Sequence, residues 1–543
     1  MMSTTTAPIH PSHEQIPELR ADRLVRDYTL WMPGFLARRP QWVRTTLFLL
    51  VLCAASAFIR TRDIGGQFWM DEGIAVGIAS HPLTAIPGVL RYDGSPPLYY
   101  LLLHIWMAML GDSEAWTHAM SLLFGMLTIP VAYWGAYTLF NRRTANMAAV
   151  LFAFNAFITS YSQETRMYVL MALWGLLATI GFLHGFVYRR RKYVILFAVA
   201  QALMLYTHAW ALFFGAGSLL ALVVLYRIGD EESRKDLIKD GVLAYVGAGV
   251  LFLPWLPTFI FQSIHTAAPW DSIPRLGAPV QLSRNVIGGD DVTVAFLPAV
   301  VIGLSDMIVK RGRRTFEARL MWMLIAIPFF TLLLAWLASH ITPAWVPRYF
   351  APIVAPILLL SAMGLARAGV VGLVCLTIAT LLLLPYSAYV PKYKSDMRDL
   401  AGEMAPDLHP GDLVIVAQPE QVPLAYYYLP GGLRFSSTIG PVKDPSYMNW
   451  INALDRFRDA DPWKVLPPLL ASLKPGQQLL YIRPLTEGEI NWKASWTELI
   501  RLRAAQWGSI ISADTSLKPE RFAPHDYYPV CCVADSAVLY KKV

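Results

Sequence analysis

Four short segments carry the residue types that chemistry needs. FWMDEGIA sets Asp71 and Glu72 side by side at the start of an amphipathic stretch. A carboxylate held at an apolar boundary and partly desolvated takes a proton from a hydroxyl. The same residues also suit a helix start, where Asp caps and Glu in the first turn meets the helix dipole. SQETRMY carries Glu164 and Arg166 with Tyr168 close behind, and PAWVPRYF carries Arg348 followed by Tyr349. Guanidinium forks bind phosphate oxygens bidentately; interfacial anchoring and helix capping are their ordinary alternatives, and Glu164 also suits an ion pair with Arg166. RYDGSPPLYY sets Asp93 and Ser95 before a Pro-Pro turn. His208, in LYTHAW, lies between two apolar runs, where packing is the usual role of such a residue. The remaining histidines of this region show no HExxH or paired spacing, so the sequence supports no metal site, and Walker and Rossmann glycine patterns are absent. No cofactor is expected, and an ATP-driven pump is disfavoured.

The elements that must position these residues are membrane spans. The 543 residues are 55% hydrophobic and 15% charged, well below the roughly 25% charged of a soluble chain. Taking about 18 to 22 residues per span, the first run, Trp42–Ile59, follows some forty polar residues without a cleavage site and reads as an uncleaved anchor. Ten more runs follow: Thr117–Phe140, Thr144–Ser160, Met167–Tyr188, Tyr193–Thr207, His208–Tyr226, Gly241–Gln262, Val292–Val309, Arg319–Ser339, Tyr349–Ala366 and Ala368–Val390. The expected architecture is an integral-membrane, all-α bundle of about 11 helices, with a soluble α/β domain at its C-terminal end.

Orientation follows from the basic residues. With a cytoplasmic N-terminus, the inner loops of the first 390 residues hold 22 Lys and Arg and the outer ones seven, all arginine. Pro96–Leu110 is apolar, but counting it as a span would put the RRRK cluster at Arg189–Lys192 outside. It therefore reads as a helix lying in the outer interface, within one long outer loop from Arg60 to Trp116. An odd number of spans then puts the tail outside the cytoplasm.

The expected divisions are a cytoplasmic tail over 1–41, a membrane domain over 42–390 and a soluble domain over 391–543. From Pro391 onward, 17 basic residues balance 17 acidic ones, which argues against nucleic-acid binding. Within this domain Met397–Met404 and Trp496–Trp507 read as helices, Asp412–Ala417 and Gln478–Ile482 as strands, and Ala537–Tyr540 as an edge strand. Four cysteines form no framework; only Cys531 and Cys532 are neighbours.

The order of an uncleaved first span, DE in the outer loop, PPLYYLLLHIW, SQETRMY, the YTH turn and a late PRY resembles membrane glycosyltransferases of the C-type fold. Within these it is most similar to bacterial relatives of the protein O-mannosyltransferases, the group that includes the lipid A aminoarabinose transferases. The resemblance covers about residues 43 to 390. It implies that Asp71 is the general base toward an acceptor hydroxyl, with Glu72 as orienting neighbour. It implies that Arg166 and Arg348 bind a donor phosphate, and that Asp93 to Ser95 line the donor or acceptor site. Some relatives carry a lysine near that turn, where this chain has Asp93-Gly94-Ser95. Glu164, Tyr168, His208 and Tyr349 join the expected substrate-binding set. The implied activity is an inverting transfer of a hexose or pentose, at the outer face of a bacterial inner membrane. The donor would be a polyprenyl-monophosphate sugar, the acceptor a glycan, lipid or protein, and membrane lipid a further partner. Two rivals remain open: an oligosaccharide-lipid polymerase or ligase, for which Ser263–Asp291 would supply a central loop with Arg275 and Arg284, and a transporter or flippase of lipid-linked sugar.

Overall fold

A computed structural model describes residues 39–229, 234–266, 273–309, 315–388, 394–485, 494–523 and 534–543. Cys531, Cys532 and nearly all of the N-terminal tail lie outside the described residues. The membrane part runs α1 (Gln41–Arg60), α2 (Met70–Ala79), α3 (Ile86–Asp93), α4 (Leu98–Leu110), α5 (Glu114–Leu139), α6 (Arg142–Phe154), α7 (Ala156–Tyr161) and α8 (Tyr168–Phe182). It continues with α9 (Arg191–Thr207), α10 (Ala211–Ile228), α11 (Arg234–Phe252), α12 (Leu256–His265), α13 (Ala278–Ile287), α14 (Asp290–Val309), α15 (Phe316–Ser339), α16 (Val354–Arg367) and α17 (Val370–Ala388).

Among the described residues, six helices are long and apolar enough to cross a membrane, or eight if two bent pairs each count as one span. Two of the expected single spans are broken instead, and a bend stands just ahead of a third, each for a local reason. The run over Gly241–Gln262 bends by 77° between α11 and α12, because Pro254 has no N–H with which to continue the helix. Ahead of the run at Val292, α13 meets α14 at 86°; Gly288 and Gly289 sit there at φ 136° and 97°, a region that favours glycine. Thr144–Ser160 divides at Asn155, whose side chain caps the next helix by accepting from the Ile158 N–H at 3.0 Å. By contrast α4, with 13 residues, is about 20 Å long, short of the ~30 Å hydrocarbon core.

Two spans form the centre. Tyr168–Val187 has 89% of its most apolar window buried and Pro347–Arg367 has 83%, against 17% for Gln41–Arg60 at the periphery. The chain enters the first of these through Arg166 and the second through Arg348, so both arginines are delivered to one end of the bundle core.

At that end sits the C-terminal domain, a six-stranded sheet in the order β3-β2-β1-β4-β6-β5. Its strands are β1 (Leu413–Val416), β2 (Arg434–Ser437), β3 (Gly440–Val442), β4 (Gln478–Pro484), β5 (Leu517–Ala523) and β6 (Asp535–Lys542). β1 lies parallel to both β2 and β4, and the other pairings are antiparallel. Both faces of β1 are buried, as a parallel strand flanked by helices requires. Val414 and Val416 face α18 (Met397–Met404) and α19 (Val422–Tyr428). Leu413 and Ile415 face α21 (Pro462–Ala471) and α22 (Ser495–Ala513); α20 (Ala453–Asp459) lies beside α22. The segment expected as an edge strand, Ala537–Tyr540, is interior, because β5 covers it. LKPERFA conceals β5 from a hydropathy reading: its five middle residues are exposed, as suits an edge strand that discourages further pairing.

The sheet domain shares its core with the membrane part. Phe68 and Val76, from the loop after α1 and from α2, lie in the same apolar cluster as Val414, Leu480 and Leu539. A Cβ on Gly73 would come within 2.8 Å of the Leu424 backbone, and one on Gly77 within 1.9 Å of the Ser446 carbonyl oxygen. The two glycines, one helical turn apart, let the domain rest directly on the α2 backbone.

Candidate active site

Asp71 stands in the first turn of α2. Its Oδ2 is 3.2 Å from Arg348 Nη2 and 3.9 Å from Arg166 Nη2, while Arg166 Nη1 donates to the Asp71 carbonyl at 3.1 Å. Among the described residues Oδ1 has no partner. Capping of α2 falls to Glu72, whose Oε2 accepts from the Trp69 N–H at 3.1 Å. The Asp71 carboxylate is thereby left turned toward the arginines.

An aromatic wall fixes both guanidinium groups. Arg348 Nε donates to the Tyr168 hydroxyl at 3.0 Å, and the Arg348 guanidinium lies 5.2 Å from the Trp69 ring and 5.8 Å from Tyr168 and Tyr349. Contacts of this kind hold a cation without using up its donors. His208 packs against Tyr349 with ring centroids 4.6 Å apart, and its Nδ1 accepts from the Trp210 N–H at 3.1 Å. Burial, with Arg166 and Arg348 nearby, pushes its imidazole down to about 3, so at neutral pH it serves the wall as an uncharged ring.

Two further carboxyl groups face the same space. Burial raises Asp93 to about 6 against the opposing pull of Ser95 and Arg166. Its loop is held where Gly94, at φ 96°, reverses the chain and where Gln262 Nε2 donates to the Leu90 carbonyl at 2.8 Å and the Ser95 carbonyl at 3.2 Å. Glu164 has a buried Oε2 with no hydrogen-bond partner, and burial lifts it from 4.5 to about 7, with Lys394 pulling the other way. Between about pH 4.5 and 7 the folded protein therefore holds a proton at Glu164 that the unfolded chain has released. This group makes the fold less stable as pH rises through that window. Glu164→Gln should match the wild-type melting temperature near pH 5 and exceed it near pH 8. A difference that stays constant with pH would mean that the carboxyl is well solvated.

Glu72 is fully buried and turns away from Asp71 into a cluster of its own. Oε1 accepts from the Thr165 N–H at 2.7 Å and lies 2.7 Å from His118 Nε2. Lys394 Nζ is 2.9 Å from both carboxylate oxygens and donates to the Gln163 carbonyl at 2.7 Å. His118 Nδ1 lies 2.7 Å from the Ile64 carbonyl oxygen. Despite burial, Lys394 and His118 hold Glu72 down at about 2. This cluster ties together α2, the loop bearing Glu164 and Arg166, and the first described residue of the C-terminal domain. Lys394 and His118 were not among the residues that the sequence singled out. Lys394 is 322 positions from its partner, and no local motif marks either residue.

The other arginines expected in outer loops go elsewhere. Arg60 is buried, donating to the carbonyls of Phe152 and Ala153. Arg62 and Arg91 lie over Phe58 and Phe261, and Arg284 pairs with Asp290 at 2.8 Å. Arg275 meets Trp336 only through its carbonyl. Of the seven, Arg166 and Arg348 alone converge on Asp71. Among the described residues no group of three or more His, Cys, Asp and Glu is placed to hold a metal ion.

No family model matches the sequence, and no curated protein matches it. The shape does match solved structures. ArnT from Cupriavidus metallidurans in the apo state superposes with a TM-score of 0.62 at 14% identity, over 91% of this chain and 98% of ArnT. The same protein bound to undecaprenyl phosphate gives 0.61 at 14% identity, over 92% and 98%. The chain shares the fold of ArnT. Because the match covers 91% of this chain, more than the membrane part alone, the shared fold takes in the C-terminal sheet domain as well as the helices. The sequence resemblance covered only about residues 43 to 390.

Proposed function

We propose that this protein is an inverting glycosyltransferase that moves a sugar from a polyprenyl monophosphate to a hydroxyl-bearing acceptor at the outer face of a bacterial inner membrane. The observation that carries the reading is the convergence of Arg166 and Arg348 on Asp71 at one end of a C-type fold. The ArnT structure with undecaprenyl phosphate supports a lipid-phosphate donor. The same reading keeps a cytoplasmic N-terminus, an extracytoplasmic C-terminal domain and about 11 transmembrane helices. It is supported by the 22-to-seven split of basic residues.

In this mechanism the two guanidinium groups hold the donor phosphate, and Oδ1 of Asp71 takes the proton of the acceptor hydroxyl. The acceptor oxygen bonds to the anomeric carbon as the bond from that carbon to the phosphate oxygen breaks. The phosphate departs with the electron pair, and Arg166 and Arg348 stabilise the charge it gains. A single displacement inverts the anomeric centre.

The test is turnover by the solubilised protein with a set of polyprenyl-phosphate sugars and, in parallel, nucleotide sugars. Turnover with nucleotide sugars alone would overturn the donor assignment. Arg348→Ala should weaken donor binding by about 10- to 150-fold, the loss of one charge-assisted contact of about 1.5 to 3 kcal/mol. Arg348→Lys should restore only part of it, because an ammonium cannot make the fork. Unchanged donor affinity in Arg348→Ala would remove that residue from the phosphate site.

A further inference from the structure

The C-terminal domain holds a cleft that the proposed transfer does not use. It has a volume of about 610 Å3 and lies beyond the carboxyl ends of β1 and β2, bounded by β3 and α20. In sheets containing parallel strands, the crevice at that end is where ligands commonly bind. The floor of the cleft rests on the membrane part. Asp444 Oδ2 is 3.0 Å from His81 Nε2, Tyr447 packs on Tyr92 of α3 with centroids 6.2 Å apart, and the Trp450 N–H donates to the Tyr92 carbonyl at 2.9 Å. The cleft is thus anchored just past the last turn of α2, whose first turn carries Asp71. Eight residues of helix separate the two ends, a distance of about 12 Å.

The lining indicates the ligand class. Lys443 and Arg456 balance Asp444 and Asp459, so the cleft carries no net charge with which to select an anion. Arg456 and Asp444 are occupied: Arg456 donates to the carbonyls of Ile451 and Asn449, and Asp444 accepts from Ser446. Lys443 and Asp459 are exposed and take part in no ion pair among the described residues. Asn449 spends its Oδ1 on the Ile451 N–H, which leaves the amide NH2 as a donor. Ammonium, carboxylate, amide and the Tyr447 phenol beside apolar Ile439 and Met448 match a ligand whose hydroxyls donate and accept and whose ring faces carry C–H groups. A peptide added as a strand would need a free edge. The edge here is β3, which is three residues long and contains Pro441, too short and too poor in donors to template one.

Resting on the transferase reading above, we infer that this cleft binds the distal part of a neutral oligosaccharide acceptor whose reacting end lies at Asp71. The separation along α2 means that a monosaccharide cannot occupy both places, so the acceptor is a chain of several sugars. The test uses the full-length protein in detergent on an array of neutral oligosaccharides of graded length, uronic-acid-containing oligosaccharides and Ser/Thr-rich peptides. Release of sugar from a polyprenyl-phosphate sugar into water is assayed in parallel. Neutral oligosaccharides should be retained and monosaccharides not. Lys443→Ala/Asp459→Ala should lose at least about tenfold in affinity, with unchanged melting temperature and unchanged donor hydrolysis. Ile439→Trp, which fills the cleft without removing a charge, should lose binding as well. Retention of peptides alone, a preference for uronic-acid chains, or retention unaffected by these variants would overturn the inference. Absence of both hydrolysis and transfer with every polyprenyl-phosphate sugar, with cleft-dependent glycan binding intact, would instead overturn the transferase reading and leave the cleft as a glycan site.

Discussion

Asp71→Asn should fold normally and transfer sugar at least about 100-fold more slowly than wild type, the cost of removing a positioned base. The geometry separates this outcome from a structural one. Asp71 neither caps α2 nor fills its core: Glu72 reaches back to the Trp69 N–H, and Asp71 Oδ1 has no partner among the described residues. The Asn side chain keeps the size of Asp, so any stability loss should stay near 1 kcal/mol or below. Donor affinity should change far less than the rate, since the phosphate contacts belong to Arg166 and Arg348. A purified Asn variant that melts like wild type and turns over at a comparable rate would exclude Asp71 as the base.

Lys394→Met should destabilise the protein by about 3 to 5 kcal/mol, because it strands a buried carboxylate. Glu72 is 0% exposed and loses both 2.9 Å contacts at once. Adding Glu72→Gln should recover much of the loss, since the charge that needed a partner is gone. The pair also fixes a pH dependence. With Glu72 held at about 2, its contribution to stability is fully present above the ordinary carboxylate value of 4.5 and is lost as pH falls toward 2. Thermal melts of the single and double variants at neutral pH decide the matter. A single variant that melts within a degree or two of wild type would mean that water replaces Lys394 at no cost.

Most of what could be read beforehand was local. Long apolar stretches announce spans because the bilayer demands about twenty such residues in a row, and Gln41–Arg60, Glu114–Leu139, Tyr168–Val187 and Phe316–Ser339 follow from that rule. Breaks are harder to read. Pro254 stands in plain view, yet an apolar run looks alike whether it crosses straight or turns by 77°. The strand LVIV was legible because both of its faces are buried, and LKPERFA was not, because an edge strand keeps its charges in water.

The candidate site divides the same way. Residue type and position relative to the spans were enough to single out Asp71, Arg166 and Arg348 by sequence alone, since a carboxylate or guanidinium beside an apolar run is costly to keep and therefore informative. Which of the seven arginines expected in outer loops meet Asp71 was decided by tertiary structure, through the two central spans that Arg166 and Arg348 introduce. The Glu72–His118–Lys394 cluster was likewise decided there, for a physical reason: its members come from three segments as much as 322 residues apart, and no periodicity or spacing records a charge whose partner arrives only when the chain has folded.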